Sequence, residues 1–208
     1  MELLQREAAL RALHETMRKC RRCIEEGFDV TPRAIFSGKA SARVMLIGQA
    51  PGKVETFGTG QPFSGPAGKR LMKWLAEAGW TEEEFRRDAY ITAVMKCFPG
   101  SARNGRGDRA PSRRELALCR PFLAMELLLV NPEVVIPVGR LAINYFLGPK
   151  ILLKDAVGRS FHVEGRTVVP LPHPSGASAW TNAAENQEKI KRALSILRDL
   201  KRELSPER

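Results

Sequence analysis

Hydrophobic positions along the chain fall into two rhythms. Short uninterrupted apolar runs at Val44–Ile47 (VMLI), Tyr90–Met95, Val134–Val138 (VVIPV) and Thr167–Leu171 (TVVPL) read as strands buried on both faces. Residues 3–19, 67–78 and 184–203 instead repeat their apolar positions at helical spacing, the last with Leu194, Leu197, Leu200 and Leu204 on one face. A further helix opens after a basic loop, where Ser112 and Glu115 stand as N-cap and N3 of a capping box, each able to satisfy an orphaned backbone donor. Strands separated by helices predict an α/β domain: a central, mostly parallel four-stranded sheet flanked by helices. No repeat or linker interrupts this order, so 1–208 is expected to form a single domain, with 204–208 as a frayed tail.

Composition narrows the class. With 43% hydrophobic residues among 208, the chain can bury one sizeable core. It has no apolar run of roughly 18 residues with which to span a bilayer. The opening MELLQREAALRALHETMRKC is a charged helical stretch without the apolar segment of a secretory signal, which predicts a cytoplasmic protein with no membrane partner. The formal charge of +11 is unevenly distributed, since Arg103, Arg106, Arg109, Arg113 and Arg114 crowd between Cys97 and Cys119. A basic surface can serve solubility alone. The run SARNGRGDRAPSRR, however, is rich in both Gly and Arg and suits a polyanion whose phosphates are followed without reading sequence.

The four cysteines, Cys20, Cys23, Cys97 and Cys119, form one close Cys-Arg-Arg-Cys pair and two distant single positions. In a reducing compartment such residues are more often thiolate ligands than bridges. Zinc accepts four thiolates but usually takes them as two short pairs. Iron–sulfur clusters also take four, and a cluster would tie the N-terminal helix to the body of the domain. Spacing alone leaves open iron–sulfur, zinc and unligated core thiols.

In a parallel sheet, ligands bind in the crevice beyond the carboxyl ends of the strands. Three notable loops meet that description: Gly48-Gln49-Ala50-Pro51-Gly52 running on through Pro62-Phe63-Ser64-Gly65, then Lys96-Cys97-Phe98-Pro99, and Pro172-His173-Pro174-Ser175-Gly176. GQAPG, TGQPFSGPAG, YITAVMKC, VVIPVGRLAINYFLG and LPHPSGAS, with the cysteine spacing, resemble the uracil-DNA glycosylase superfamily in its iron–sulfur branches, families 4 and 5. The resemblance runs from about Cys20 to the terminal helix. It implies a parallel-sheet α/β fold, a [4Fe–4S] cluster on Cys20, Cys23, Cys97 and Cys119, and hydrolysis of the N-glycosidic bond of a deaminated base in DNA.

The resemblance also assigns roles. The target base must leave the duplex; Phe63 matches the position that stacks on it, and His173 the donor to its carbonyl oxygen as charge develops there. The catalytic set so implied is His173, Gln49 and Ala50, and the base-binding set is Phe63, Gln49, Ala93 and His173. DNA contact falls to Ser64 and Gly65 ahead of a helix N-terminus, to Lys69, Arg103, Arg106 and Arg109 for nonspecific affinity, and to Ser175, Gly176 and Ser178 at the minor groove. The expected partner is DNA containing deaminated bases, bound by a monomer without a nucleotide cofactor.

The chain also departs from the pattern. Gln49 replaces the glutamate usual in family 4, Ala93 replaces its uracil-reading asparagine, and Pro66 stands where family 5 carries an aspartate. No carboxylate therefore occupies either position for a water-activating base. Two readings follow: a dissociative glycosylase broad enough for hypoxanthine or xanthine beside uracil, or a catalytically weak binder of damaged DNA. Glu55 is the nearby acid that could substitute, although a loop glutamate is more often simply solvated. A cluster-dependent electron carrier would need neither the PFSGPAG loop nor the HPSG turn.

Overall fold

A computed structural model describes residues 1–102, 107–175 and 179–204. Arg103, Arg106, Gly176 and Ser178, four of the expected DNA contacts, lie outside the described residues.

The first three apolar runs become strands β1 (Val44–Gly48), β2 (Tyr90–Ala93) and β3 (Val134–Pro137), each buried at every position. The sheet has five strands rather than the four expected, in the order β2-β1-β3-β5-β4. β1 lies parallel to β2 and β3, with Ile47 opposite both Thr92 and Pro137, and β3 lies parallel to β5 (Arg166–Val168). The additional strand is β4 (Phe161–Val163), antiparallel to β5. The two are joined across Glu164 and Gly165, both with positive φ (49° and 77°), the conformation of a tight two-residue hairpin. β4 is a half-exposed edge strand, so it lacks the continuous apolar signature of its neighbours. The fourth expected strand is regular only to Val168, and one parallel bridge, Val138 to Leu171, carries its pairing further.

Alternation along β1 builds two cores. Val44 and Leu46 face α3 (Pro66–Glu77), α4 (Glu82–Asp88) and the terminal helix α9 (Ala184–Leu204) through Leu71, Leu75, Phe85, Leu194 and Leu197. Met45 and Ile47 face α1 (Leu3–Lys19) and α5 (Arg113–Val130) through Leu10, Leu123 and Leu127. Each such side chain contributes about 1.5–3 kcal/mol on burial. The helix α9 runs through Leu204, inside the tail expected to fray. The capping box at the start of α5 is present: Ser112 Oγ accepts from the Glu115 N–H, and the Glu115 carboxylate accepts from the Ser112 N–H.

Shorter pieces complete the chain: α2 (Arg22–Glu25), a single turn of π-helix at Glu55–Thr59, α6 (Arg140–Leu147), α7 (Leu153–Ala156) and α8 (Ala179–Asn182). Together these elements place the carboxyl ends of β1, β2 and β3 at one edge, where the loops bearing Gly52, Phe63 and His173 converge.

Candidate functional site

A cavity of about 240 Å3 opens at that edge. Its volume lies below the roughly 300–1,000 Å3 of sites for drug-sized ligands, which suits one small heterocycle. Phe63 and His173, from widely separated segments, both line it.

The Phe63 ring is held by its backbone. This residue has φ 54°, in the left-handed region that non-glycine residues seldom enter. Its carbonyl, with that of Pro62, accepts from the Arg86 guanidinium of α4 at 3.0 and 2.9 Å. Two glycines give it room. A Cβ on Gly68 would lie 1.9 Å from the Phe63 carbonyl oxygen, and one on Gly48 would lie 2.6 Å from the ring's Cζ. The ring thus lies across the end of β1, fixed before any ligand arrives.

His173 follows the β5 segment, and its side chain reaches solvent at the mouth of the cavity while packed against Gly139. Its Nδ1 accepts from the Ser175 N–H at 3.3 Å, which leaves Nε2 as the protonated nitrogen of a neutral imidazole. Burial lowers its pKa, so the neutral donor form prevails near pH 7.

Several expected site residues stand elsewhere. Gly48 and Ala50 line the cavity, but Gln49 between them does not, because successive residues leaving a strand point to opposite sides. Gln49 is half-buried, and its carbonyl accepts from the Met95 N–H. The N–H groups of Ser64 and Gly65, assigned above to a phosphate, instead donate to Glu55 Oε1 at 3.0 and 2.8 Å. The Ser64 hydroxyl bonds Thr59 Oγ1 and the Gln61 carbonyl. Glu55 is therefore no solvated loop acid. It is 8% exposed, lines the cavity, and takes a third N–H from Gly52 on Oε2. The Arg109 guanidinium is engaged by both oxygens of the fully buried Glu115. Hydrogen bonding from Arg109 is the main reason that the Glu115 pKa falls to about 2. Lys69 is exposed on α3, and Arg70 lies over the Trp74 ring.

The other wall residues include Ala93, which the resemblance assigns to the base, and three that the sequence did not single out. Asp108 and Lys53 line the cavity, as do Thr92 and Ala93 on its β2 side. Behind Thr92 lies a buried polar cluster. Lys96 Nζ donates to Glu126 Oε2 (2.5 Å), Thr92 Oγ1 (2.9 Å) and the Ala93 carbonyl (2.5 Å), while Tyr90 and Thr92 donate to Glu126 Oε1. Lys96 and Glu126 are 2% and 0% exposed, and such a pair is costly to break. Nothing in the one-dimensional pattern joins Lys96 to Glu126; only the packing of β2 on α5 does.

The four cysteines line a second, smaller cavity. Cys20 caps α1, Cys23 sits in α2, Cys97 follows β2 and Cys119 lies in α5. Burial, followed by the neighbouring thiols, pushes Cys97 up to about 12 and Cys23 to about 11, so the sulfurs share one site. All four are free thiols. Among the described residues, no group of three or more His, Cys, Asp or Glu side chains is arranged to hold a metal ion. Four thiols and no other donor fit the ligand set of a polynuclear iron–sulfur group.

Fold and cavity together define an α/β protein with a mostly parallel sheet and a small cavity beyond the carboxyl ends of its strands. Residues 35–198 match the uracil DNA glycosylase superfamily, and the chain belongs to that family. It is 31% identical over 172 residues to a type-4 uracil-DNA glycosylase of Thermotoga maritima, covering 82% of this chain and 83% of that one. It is 28% identical over 195 residues to the type-4 enzyme of Saccharolobus solfataricus, covering 87% and 84% of the two chains. To a type-5 uracil-DNA glycosylase of Thermus thermophilus it is 33% identical over 129 residues, covering 57% and 56%. Among the described residues, no helix is long and apolar enough to cross a membrane.

Proposed function

We propose that this chain is a DNA repair glycosylase that receives an extruded deaminated base, uracil first, and hydrolyses its N-glycosidic bond to leave an abasic site. The observation that carries the reading is the meeting of Phe63 and His173 in one base-sized cavity, in a chain whose relatives are named uracil-DNA glycosylases. The Phe63 ring offers a stacking surface for a flat base. As the C1′–N bond lengthens, its electron pair moves onto the base, and Nε2–H of neutral His173 donates to the carbonyl oxygen that gains charge. A neutral donor suits this step, since it need not surrender its proton.

The wall bears no side-chain amide at Ala93, so hypoxanthine and xanthine are also within its chemical range. Cys20, Cys23, Cys97 and Cys119 would hold a [4Fe–4S] cluster whose contribution is structural, fastening α1, α2 and α5 to the end of β2. Lys69 and the arginines of the 103–114 segment supply nonspecific attraction to DNA, while Arg109 serves chiefly to fasten that segment. The protein acts as a monomer in the cytoplasm.

The test is incubation of the purified protein with oligonucleotides carrying uracil, hypoxanthine or xanthine, followed by alkaline cleavage of abasic sites. Strand breaks at uracil are expected. Tight binding to every lesion without breaks would mark a damage-binding protein instead.

A further inference from the structure

Two carboxylates stand in the wall of the base cavity, and their surroundings separate their roles. Glu55 accepts three backbone N–H groups, from Gly52, Ser64 and Gly65. A carboxylate so engaged has its oxygens occupied in holding its loop together. Asp108 faces it across Gly52: a Cβ on that glycine would lie 2.9 Å from Glu55 Oε2 and 3.0 Å from Asp108 Oδ2. The described partner of Asp108 is Lys53, through its backbone N–H and its nearby charge. Although Asp108 reaches solvent at the rim, burial of its inner side raises its proton affinity; Lys53 opposes that rise and Glu55 adds to it.

Asp108 is also firmly placed. It pairs with Ser101 in an isolated antiparallel bridge, beside which Ala102 N–H donates to the Gly107 carbonyl and Arg109 N–H to that of Gly100, both at 3.0 Å. The next side chain, Arg109, is clamped on Glu115 at the start of α5. The carboxylate is thus presented to the cavity by a residue bridged to Ser101 and followed by an arginine anchored on α5.

We infer that Asp108 is the general base of this chain's reaction, a role that neither Gln49, Pro66 nor Ala93 can fill. The inference rests on the glycosylase reading above. In the step it describes, the C1′–N bond breaks and its electron pair departs on the base, while the oxygen of a water molecule bonds to C1′. The proton lost by that water passes to the Asp108 carboxylate and from there to solvent, and the released base anion takes up a proton from solvent. Among the described residues, Glu55, Lys53 and His173 are the charged and titratable groups that share the cavity with Asp108.

The experiment compares the full chain with Asp108→Asn in single-turnover release of uracil, and measures affinity for an oligonucleotide carrying 2′-fluoro-2′-deoxyuridine, which resists cleavage. A fall in rate of roughly 100-fold or more is expected, with affinity held within about twofold. The parent rate should also decline toward acid as Asp108 is protonated, whereas the variant's rate should be flat over that range. Where Asp108→Asn fails to give the native circular dichroism spectrum, Asp108→Ser and the parent pH profile take its place. A variant within about threefold of the parent, or a parent rate without an acidic limb, would overturn the assignment. Absence of release by the parent from any lesion would instead remove the glycosylase reading, and this inference with it.

Discussion

The base cavity and the cysteine cavity lie on either side of the segment that follows β2, yet they are built by opposite means. The base cavity is made of turns: Phe63 in a left-handed conformation, Gly48 and Gly68 where no Cβ fits, and Glu55 replacing water on three loop amides. The cysteine cavity is made of helix ends and a strand terminus, with ordinary backbone at Cys20 and Cys119 inside regular capping or helical geometry. Lys96 belongs to both, since it lines the cysteine cavity and hydrogen-bonds Thr92 and Ala93 in the wall of the other. The difference teaches that shape in the first comes from close backbone approach, whereas the second is defined by four thiols brought together from distant elements.

If that division of labour is right, the largest effect comes from the cysteine side. Cys97→Ala should abolish bound iron and lower the melting temperature by about 10 °C or more, since metal-site binding energy is folding energy. Iron analysis with thermal circular dichroism checks this; a variant that keeps full stability without iron would dissolve the comparison. Next comes the shared strut. Lys96→Met strands a buried carboxylate and should cost about 3–5 kcal/mol by urea denaturation, with Lys96→Met/Glu126→Leu recovering part of it.

His173→Ala should act on the base cavity alone. Release of uracil should slow by about 100- to 1,000-fold, with DNA affinity and melting temperature nearly unchanged, in single-turnover and anisotropy assays. Equal losses of rate and affinity would point to a binding role. The smallest effect is one of pH. Glu115 has a folded pKa of about 2 against an ordinary 4.5, so its share of stability is complete above about 4.5 and is lost as the pH falls toward 2. A pH series of urea midpoints should show that acid loss in the parent and a flatter curve in Glu115→Gln.

Much of this architecture could be read from the chain. Buried parallel strands announce themselves as unbroken apolar runs, and the box at Ser112 and Glu115 is a local rule that the fold obeys. The five motifs also located the cavity's edge and two of its walls. Other features depend on contacts distant in sequence. β4 went uncounted because an edge strand with one wet side carries no continuous apolar signal. Gln49 looks like a site residue until strand alternation turns it away, and Glu55 looks solvated until two later amides close on it. Asp108 is a lone acid in an arginine-rich run, and only its bridge to Ser101 and its place beside Gly52 bring it to the cavity.

The posture of Phe63 has one more consequence. If an extruded base stacks on the Phe63 ring as proposed, it meets a plate whose backbone is already braced from α4 by Arg86, with little internal freedom left to surrender. Discrimination between damaged and sound DNA therefore falls on the duplex: the weaker the pairing and stacking that hold a base in place, the more readily it reaches a plate that does not have to move to meet it.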